Sequence, residues 1–123
     1  MEFDPLSKRV IGCALEVHRA LGPGLLESTY EQCLAEEFKL AGLDFRQQLP
    51  MLVVYKHLTL DCGYRLDFLV ENQLVLELKS VESVLPIHQA QLLTYMKLAK
   101  VQTGLLINFN VVLLKNDIKR FVL

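Results

Sequence analysis

The sequence predicts a single α+β domain spanning residues 1–123, and three observations carry that expectation. Apolar residues recur at helical spacing up to about Ala41, alternate at strand spacing from Phe45 to Lys79, and then return to one helix followed by strands. A chain of 123 residues has room for one domain with a substantial core and not for two ordinary ones. The predicted order is ααββββαβββ, a mixed α/β arrangement with a central sheet flanked by helices.

The first helix runs from about Leu6 to Ala20, with Leu6, Val10, Cys13, Ala14 and Val17 on its apolar face. Asp4 is its predicted N-cap and Pro5 occupies the first helical position. Gly22-Pro23-Gly24 ends it, because glycine permits left-handed angles and proline cannot continue a helix. A second helix covers about Leu26 to Ala41, with Tyr30, Leu34, Phe38 and Leu40 as apolar members and Gly42 as its stop. Phe45–Leu49 and Met51–Tyr55 read as two extended segments separated by Pro50. Gly63–Val70 and Leu74–Lys79 are the clearest strands, joined by Glu71-Asn72-Gln73. Pro86 opens a helix through about Ala99, Thr103–Asn108 is an apolar strand, and Val111–Leu114 and Lys119–Leu123 close the chain as short strands. No repeat or low-complexity tract interrupts this order.

Composition excludes several classes of function. Hydrophobic content of 52% with 22% charged residues is the balance of a globular protein rather than a disordered one. Charges break every apolar run before it reaches membrane-spanning length, and the start, with Glu2, Asp4 and Pro5, lacks the form of a secretory signal; a cytoplasmic protein is expected. Cys13, Cys33 and Cys62 are widely spaced without a CxxC pair, so they read as free core-type residues and not as a disulfide or zinc framework. His18 and His57 have no partner at ligand spacing, and His88 reads as structural or solvated. The net charge is −1, so no global basic excess grips nucleic-acid phosphates. P-loop, dinucleotide-binding and nucleophile-elbow motifs are absent.

The strands on either side of Glu71-Asn72-Gln73 carry the chemistry. Alternation assigns Leu66, Phe68, Val70, Leu74, Leu76 and Leu78 to a core face, and Arg65, Asp67, Glu77 and Lys79 to the other. A two-residue turn would set Asp67 opposite Leu78. A three-residue turn sets Asp67 opposite Glu77 and Arg65 opposite Lys79, and this is the register expected. Two carboxylates whose Cβ atoms lie roughly 4.5–5.5 Å apart repel each other unless one takes up a proton or a cation joins them. Hard oxygen ligands with water suit Mg²⁺ or Mn²⁺, which can polarise a phosphoryl oxygen, with Lys79 placed to orient a water or meet phosphate charge. The plainer alternative is a mixed-charge sheet face with Arg65–Glu77 and Asp67–Lys79 as weak ion pairs.

Asp67, nine intervening residues and then Glu77-Leu78-Lys79 resemble the D…ExK core of the PD-(D/E)xK nuclease-like superfamily, with Leu66 where members often have proline. Gln91-Leu92-Leu93-Thr94-Tyr95 looks like the QxxxY motif of RecB-like members, which in such enzymes lies near the metal or the phosphates. Gly24-Leu25-Leu26-Glu27-Ser28-Thr29-Tyr30 fits the motif of the GxxExxY proteins, small bacterial and archaeal proteins placed in that superfamily. The resemblance runs from about Leu6 to the C-terminus and implies a restriction-endonuclease-like core. It also implies a metal shell of Asp67, Glu77 and Glu27, with Lys79, Glu27 and Gln91 in catalysis and Tyr95, Tyr30 and Arg65 near substrate. Two functions compete: a metal-dependent phosphodiesterase acting on DNA or RNA, and a non-catalytic accessory or binding module that keeps the fold. A homodimer with a shared groove would enlarge the surface available to either.

Overall fold

Asp4 and Pro5 open the first helix as the sequence predicts, in a computed structural model that describes residues 3–123. The helices are α1 (Pro5–Leu21), α2 (Glu27–Leu40) and α3 (Pro86–Ala99), and the strands are β1 (Phe45–Tyr55), β2 (Leu58–Val70), β3 (Leu74–Lys79), β4 (Thr103–Asn108) and β5 (Ile118–Val122). Asp4 takes the N-cap position through its main chain alone, with Lys8 N–H donating to its carbonyl at 3.0 Å. Its side chain instead faces Arg120, 3.5 Å away. No helix among the described residues is long and apolar enough to cross a membrane.

The five strands form one sheet in chain order. β3 and β4 are parallel because α3 crosses over between them; the other neighbouring pairs are antiparallel. One face packs α1 and α2 around Phe38, Phe68, Leu76, Leu105 and Phe109. The opposite face packs α3 through Leu92, Tyr95 and Met96 onto Leu66, Leu69, Val75 and Leu106. The alternating apolar residues of β2 and β3 thus supply two cores.

Four expectations are corrected. Phe45–Leu49 and Met51–Tyr55 are one strand rather than two: β1 lies at the sheet edge, where a proline without an N–H is tolerated, and Pro50 pairs with Arg65. Val111–Leu114 is not a strand. Asn110 N–H donates to the Asn108 side chain, the Val111 carbonyl meets the His18 ring at 2.7 Å, and a 3₁₀ turn follows at Leu114–Asp117. The described residues therefore hold five strands. Leu66 packs with the α3 core and not beside Phe68, so β2 changes faces at Asp67. Arg65 does not face Lys79, because the β2–β3 ladder ends at Phe68–Leu76.

The fault in β2 is matched on β1. Pairing runs Gln47–Phe68 and then Leu49–Leu66, skipping Gln48 and Asp67, and Gln48 has a left-handed φ of 52°. Beyond it, β1 and β2 continue as a two-stranded arm with several exposed apolar side chains, Val54, Tyr55 and Tyr64 among them. On the far side of β3, buried Asn108 fixes the loop leading to α3, exchanging hydrogen bonds with Val81 N–H and C=O at 3.0 and 2.9 Å.

Gly104 sets the distance between α3 and the sheet. A Cβ there would stand 2.7 Å from Met96 Sδ and 3.1 Å from Leu92 Cδ1. Gly104→Ala is expected to destabilise the fold by about 1–3 kcal/mol, as overpacking does, and Gly104→Val by more. Urea unfolding checks this; an alanine variant as stable as the parent would show that α3 does not rest on this glycine.

Candidate active site

Asp67 and Glu77 face each other across a gap that their own side chains fill. The register of the three pairs nearest the turn brings these two residues opposite, as the three-residue turn predicts, but the backbone ladder stops one pair short. In its place Asp67 N–H donates to Glu77 Oε1 at 3.2 Å, and Leu78 N–H donates to Asp67 Oδ2 at 2.8 Å. Both acids are buried, at 9% and 6% exposure. Neither has a salt-bridge partner among the described residues, so the weak ion pairs of the plainer reading are not formed.

Such a pair resists ionisation. Burial raises the Glu77 carboxyl from 4.5 to about 9; the Asp67 charge and a proton shared with it push the same way, while Asp67 N–H and the Lys79 charge oppose. A divalent cation would remove the conflict by giving both carboxylates one opposite charge.

Glu27, the first residue of α2, reaches the same neighbourhood. Burial raises its proton affinity, Asp67 and Glu31 add to the rise, and Lys79 and the Ser80 N–H restrain it. It does not close into a ligand cluster as the expected metal shell requires: no group of three His, Cys, Asp or Glu side chains converges among the described residues. Two carboxylates with water are nevertheless a sufficient donor set for magnesium or manganese.

Sequence reasoning did not reach Gln48 and Glu31. The Gln48 amide donates to Asp67 Oδ1 at 3.2 Å and to Glu31 Oε1 at 2.5 Å, while Gln47 donates to Glu31 Oε2 at 2.6 Å. Gln48 therefore ties Asp67 to α2, and its left-handed backbone is part of that placement. Glu27 and Glu31 at i and i+4 are a legible sign that α2 offers two acids on one face. Nothing local marks Gln48.

On the other face of the sheet, Gln91 Nε2 donates to the Tyr95 hydroxyl at 3.0 Å. Burial raises the Tyr95 phenol's proton affinity and the nearby Glu77 and Asp67 charges add to it, which puts this pair beside the acids. His88 is structural, its Nδ1 accepting from Leu85 N–H at the start of α3, at 3.0 Å. Arg65 is exposed on the arm. Tyr30 is corrected: it is fully buried and stacked on Phe109 with 4.5 Å between ring centroids, and it has no face for substrate. Its hydroxyl donates to the Gly22 carbonyl at 2.5 Å and accepts from Leu25 N–H at 3.2 Å, fastening the turn that aims α2 at the acids.

The sheet parts its strands to seat two carboxylates, with a lysine two residues beyond the second. The family model for the PD-(D/E)XK nuclease superfamily matches residues 4–121, and the chain belongs to that superfamily. Its five-stranded mixed sheet between helices is the restriction-endonuclease-like arrangement. Members of the superfamily generally depend on a divalent metal. No curated protein and no solved structure gives a significant match.

Glu77 makes metal-free stability depend on pH. Its folded pKa is about 9 against an ordinary 4.5, so the folded chain holds a proton that the unfolded chain releases, and stability falls as pH rises through that window. Glu77→Gln is expected to stabilise the metal-free protein at pH 8 by on the order of 1–3 kcal/mol and to flatten the pH dependence. Chemical denaturation in chelator at a series of pH values reads both; a less stable variant at pH 8 would contradict the assignment. Tyr30→Phe is expected to cost about 1–3 kcal/mol by orphaning the Gly22 and Leu25 main-chain groups. Thermal unfolding measures that loss.

Proposed function

We propose that this chain is a metal-dependent nuclease of the GxxExxY type, hydrolysing phosphodiester bonds in DNA or RNA with Mg²⁺ or Mn²⁺. The observation that carries the reading is the buried Asp67–Glu77 pair at the parted ladder, with Lys79 two residues beyond Glu77 on the same strand. Asp67 and Glu77 would hold the ion, with Glu27 as a third acid in the same neighbourhood. A divalent ion held there supplies polarisation of a phosphoryl oxygen and a lowered pKa for a bound water.

The chain's own groups do the remainder. Lys79 donates hydrogen bonds to the attacking water or to a phosphate oxygen, offsetting the charge that builds there. Gln48 holds Asp67 in orientation, the part that a ligand's outer partner plays in metal sites. Gln91 and Tyr95 present polar groups beside Glu77, where the phosphate would lie. The net charge of −1 favours one other reading, an accessory module that binds in a nucleic-acid-processing assembly without cleaving.

The test has two parts. Mn²⁺ at a hundredfold excess over Kd is expected to stabilise the parent chain by about 2.7 kcal/mol. Asp67→Ala and Glu77→Ala should lose that stabilisation; equal shifts in all three proteins would sink the metal site. Cleavage of single-stranded, duplex and branched substrates should fall by at least about 100-fold in Lys79→Ala. Metal binding without any cleavage would select the accessory module.

A further inference from the structure

Beside the acids, the arm of β1 and β2 and the helix α3 enclose a cleft of about 390 Å³. That is within the range of roughly 300–1,000 Å³ typical of small-ligand sites. Val53 and Ile87 form apolar walls and the rings of Tyr64 and Tyr95 stand 6.4 Å apart at 57°. Its polar groups are few, with Gln91, Thr94 and His88 at the rim. Among the described residues, no lysine, arginine, aspartate or glutamate lines it.

We infer that this cleft holds an unpaired nucleobase of the nucleic-acid strand whose phosphate lies at the Asp67–Glu77 site. The inference rests on the nuclease reading and narrows its substrate to single-stranded, frayed or flapped nucleic acid. Charge complementarity separates a nucleotide from other occupants. A neutral aromatic-lined pocket suits an uncharged base, while the acidic pair and Lys79 next to it suit a metal-bound phosphate. Burial lowers the proton affinity of the His88 imidazole at the rim, and the charge of Lys79 nearby adds to it. Gln91 donates to Tyr95, which keeps its amide oxygen free to accept from a base edge. The two rings do different work. Tyr95 is 6% exposed and forms the floor, whereas Tyr64 is 45% exposed and offers a ring on which a base can stack.

A base inside a duplex is stacked and paired and cannot enter such a cleft without being extruded at a cost of a few kcal/mol. Stacking also resolves the difficulty posed by the net charge of −1. Base–aromatic contacts need no basic surface and tolerate any sequence. The chain can therefore hold a strand end through its bases where it lacks the net basic excess to hold a duplex through its phosphates.

The test is binding in chelator, so that no cleavage intervenes. A short single-stranded oligonucleotide containing 2-aminopurine is titrated with the parent chain, Tyr64→Ala and Tyr64→Trp, alongside a blunt duplex of the same sequence. Quenching of 2-aminopurine reports stacking. The expected result is quenching with the single strand, at least tenfold weaker binding of the duplex, a loss of about 5- to 150-fold in Tyr64→Ala, and retention in Tyr64→Trp. Equal affinity for single strand and duplex, unchanged binding in Tyr64→Ala, or no binding of either oligonucleotide would each overturn the inference. Quenched single-strand binding by a chain that never cleaves would instead leave the cleft standing and remove the nuclease reading.

Discussion

Two carboxylic acids buried at one point of a sheet impose the constraint from which the rest of this structure follows. Asp67 and Glu77 replace the ladder hydrogen bonds their strands would otherwise make, each accepting a main-chain N–H from the opposite strand. The backbone is thereby satisfied, but two acidic groups are left in a place where only one can readily be charged. In the absence of a cation the conflict is met with a proton on Glu77. Around this pair, Gln48 donates to Asp67, Glu27 adds a third acid from the side of α2, and Tyr95 lies near on the side of α3. The cost to stability is of the kind usual at functional sites, where a fold keeps groups that a purely structural core would replace with leucine.

Much of this was legible in the sequence because strand and helix periods are local properties. Leu74–Lys79, Pro86–Ala99 and Thr103–Asn108 begin and end at the expected residues, each bounded by a turn or a proline. The parity of the hairpin was legible too, since a turn length and an alternation pattern suffice to bring Asp67 opposite Glu77. Simple alternation failed at one place. It assumes an unbroken ladder, and the paired faults at Gln48 and Asp67 move Leu66 onto the other core. A left-handed glutamine held by Glu31 and Asp67 is a tertiary fact, with no trace in the residues beside it.

Tyr30 shows the limit of reading a role from a motif. Its spacing from Glu27 put both on one helix face, and resemblance suggested substrate. The ring lies under the sheet against Phe109, and its hydroxyl holds the preceding turn. The tyrosine affects the site only by aiming the helix that carries Glu27. The apolar run at Val111 failed for a related reason: apolar composition alone promised a strand, yet Val112 is 89% exposed and nearby main-chain groups are engaged by His18 and Asn108.

The turn at Glu71-Asn72-Gln73 looks like ordinary surface. Glu71 and Asn72 take left-handed angles, Gln73 N–H closes on the Val70 carbonyl, and the Glu71 carboxylate accepts from Asp44 N–H at the start of β1. Exposed turns are where chains usually vary in length without harm. Here one residue more or fewer would shift the strands by a step, turning one acid away from the other and each core residue toward the wrong helix layer. The chain is therefore least free to change its length at a point several residues from any reacting group. Substitution there is cheap so long as the backbone angles survive, whereas insertion or deletion would dismantle the site without touching one of its side chains.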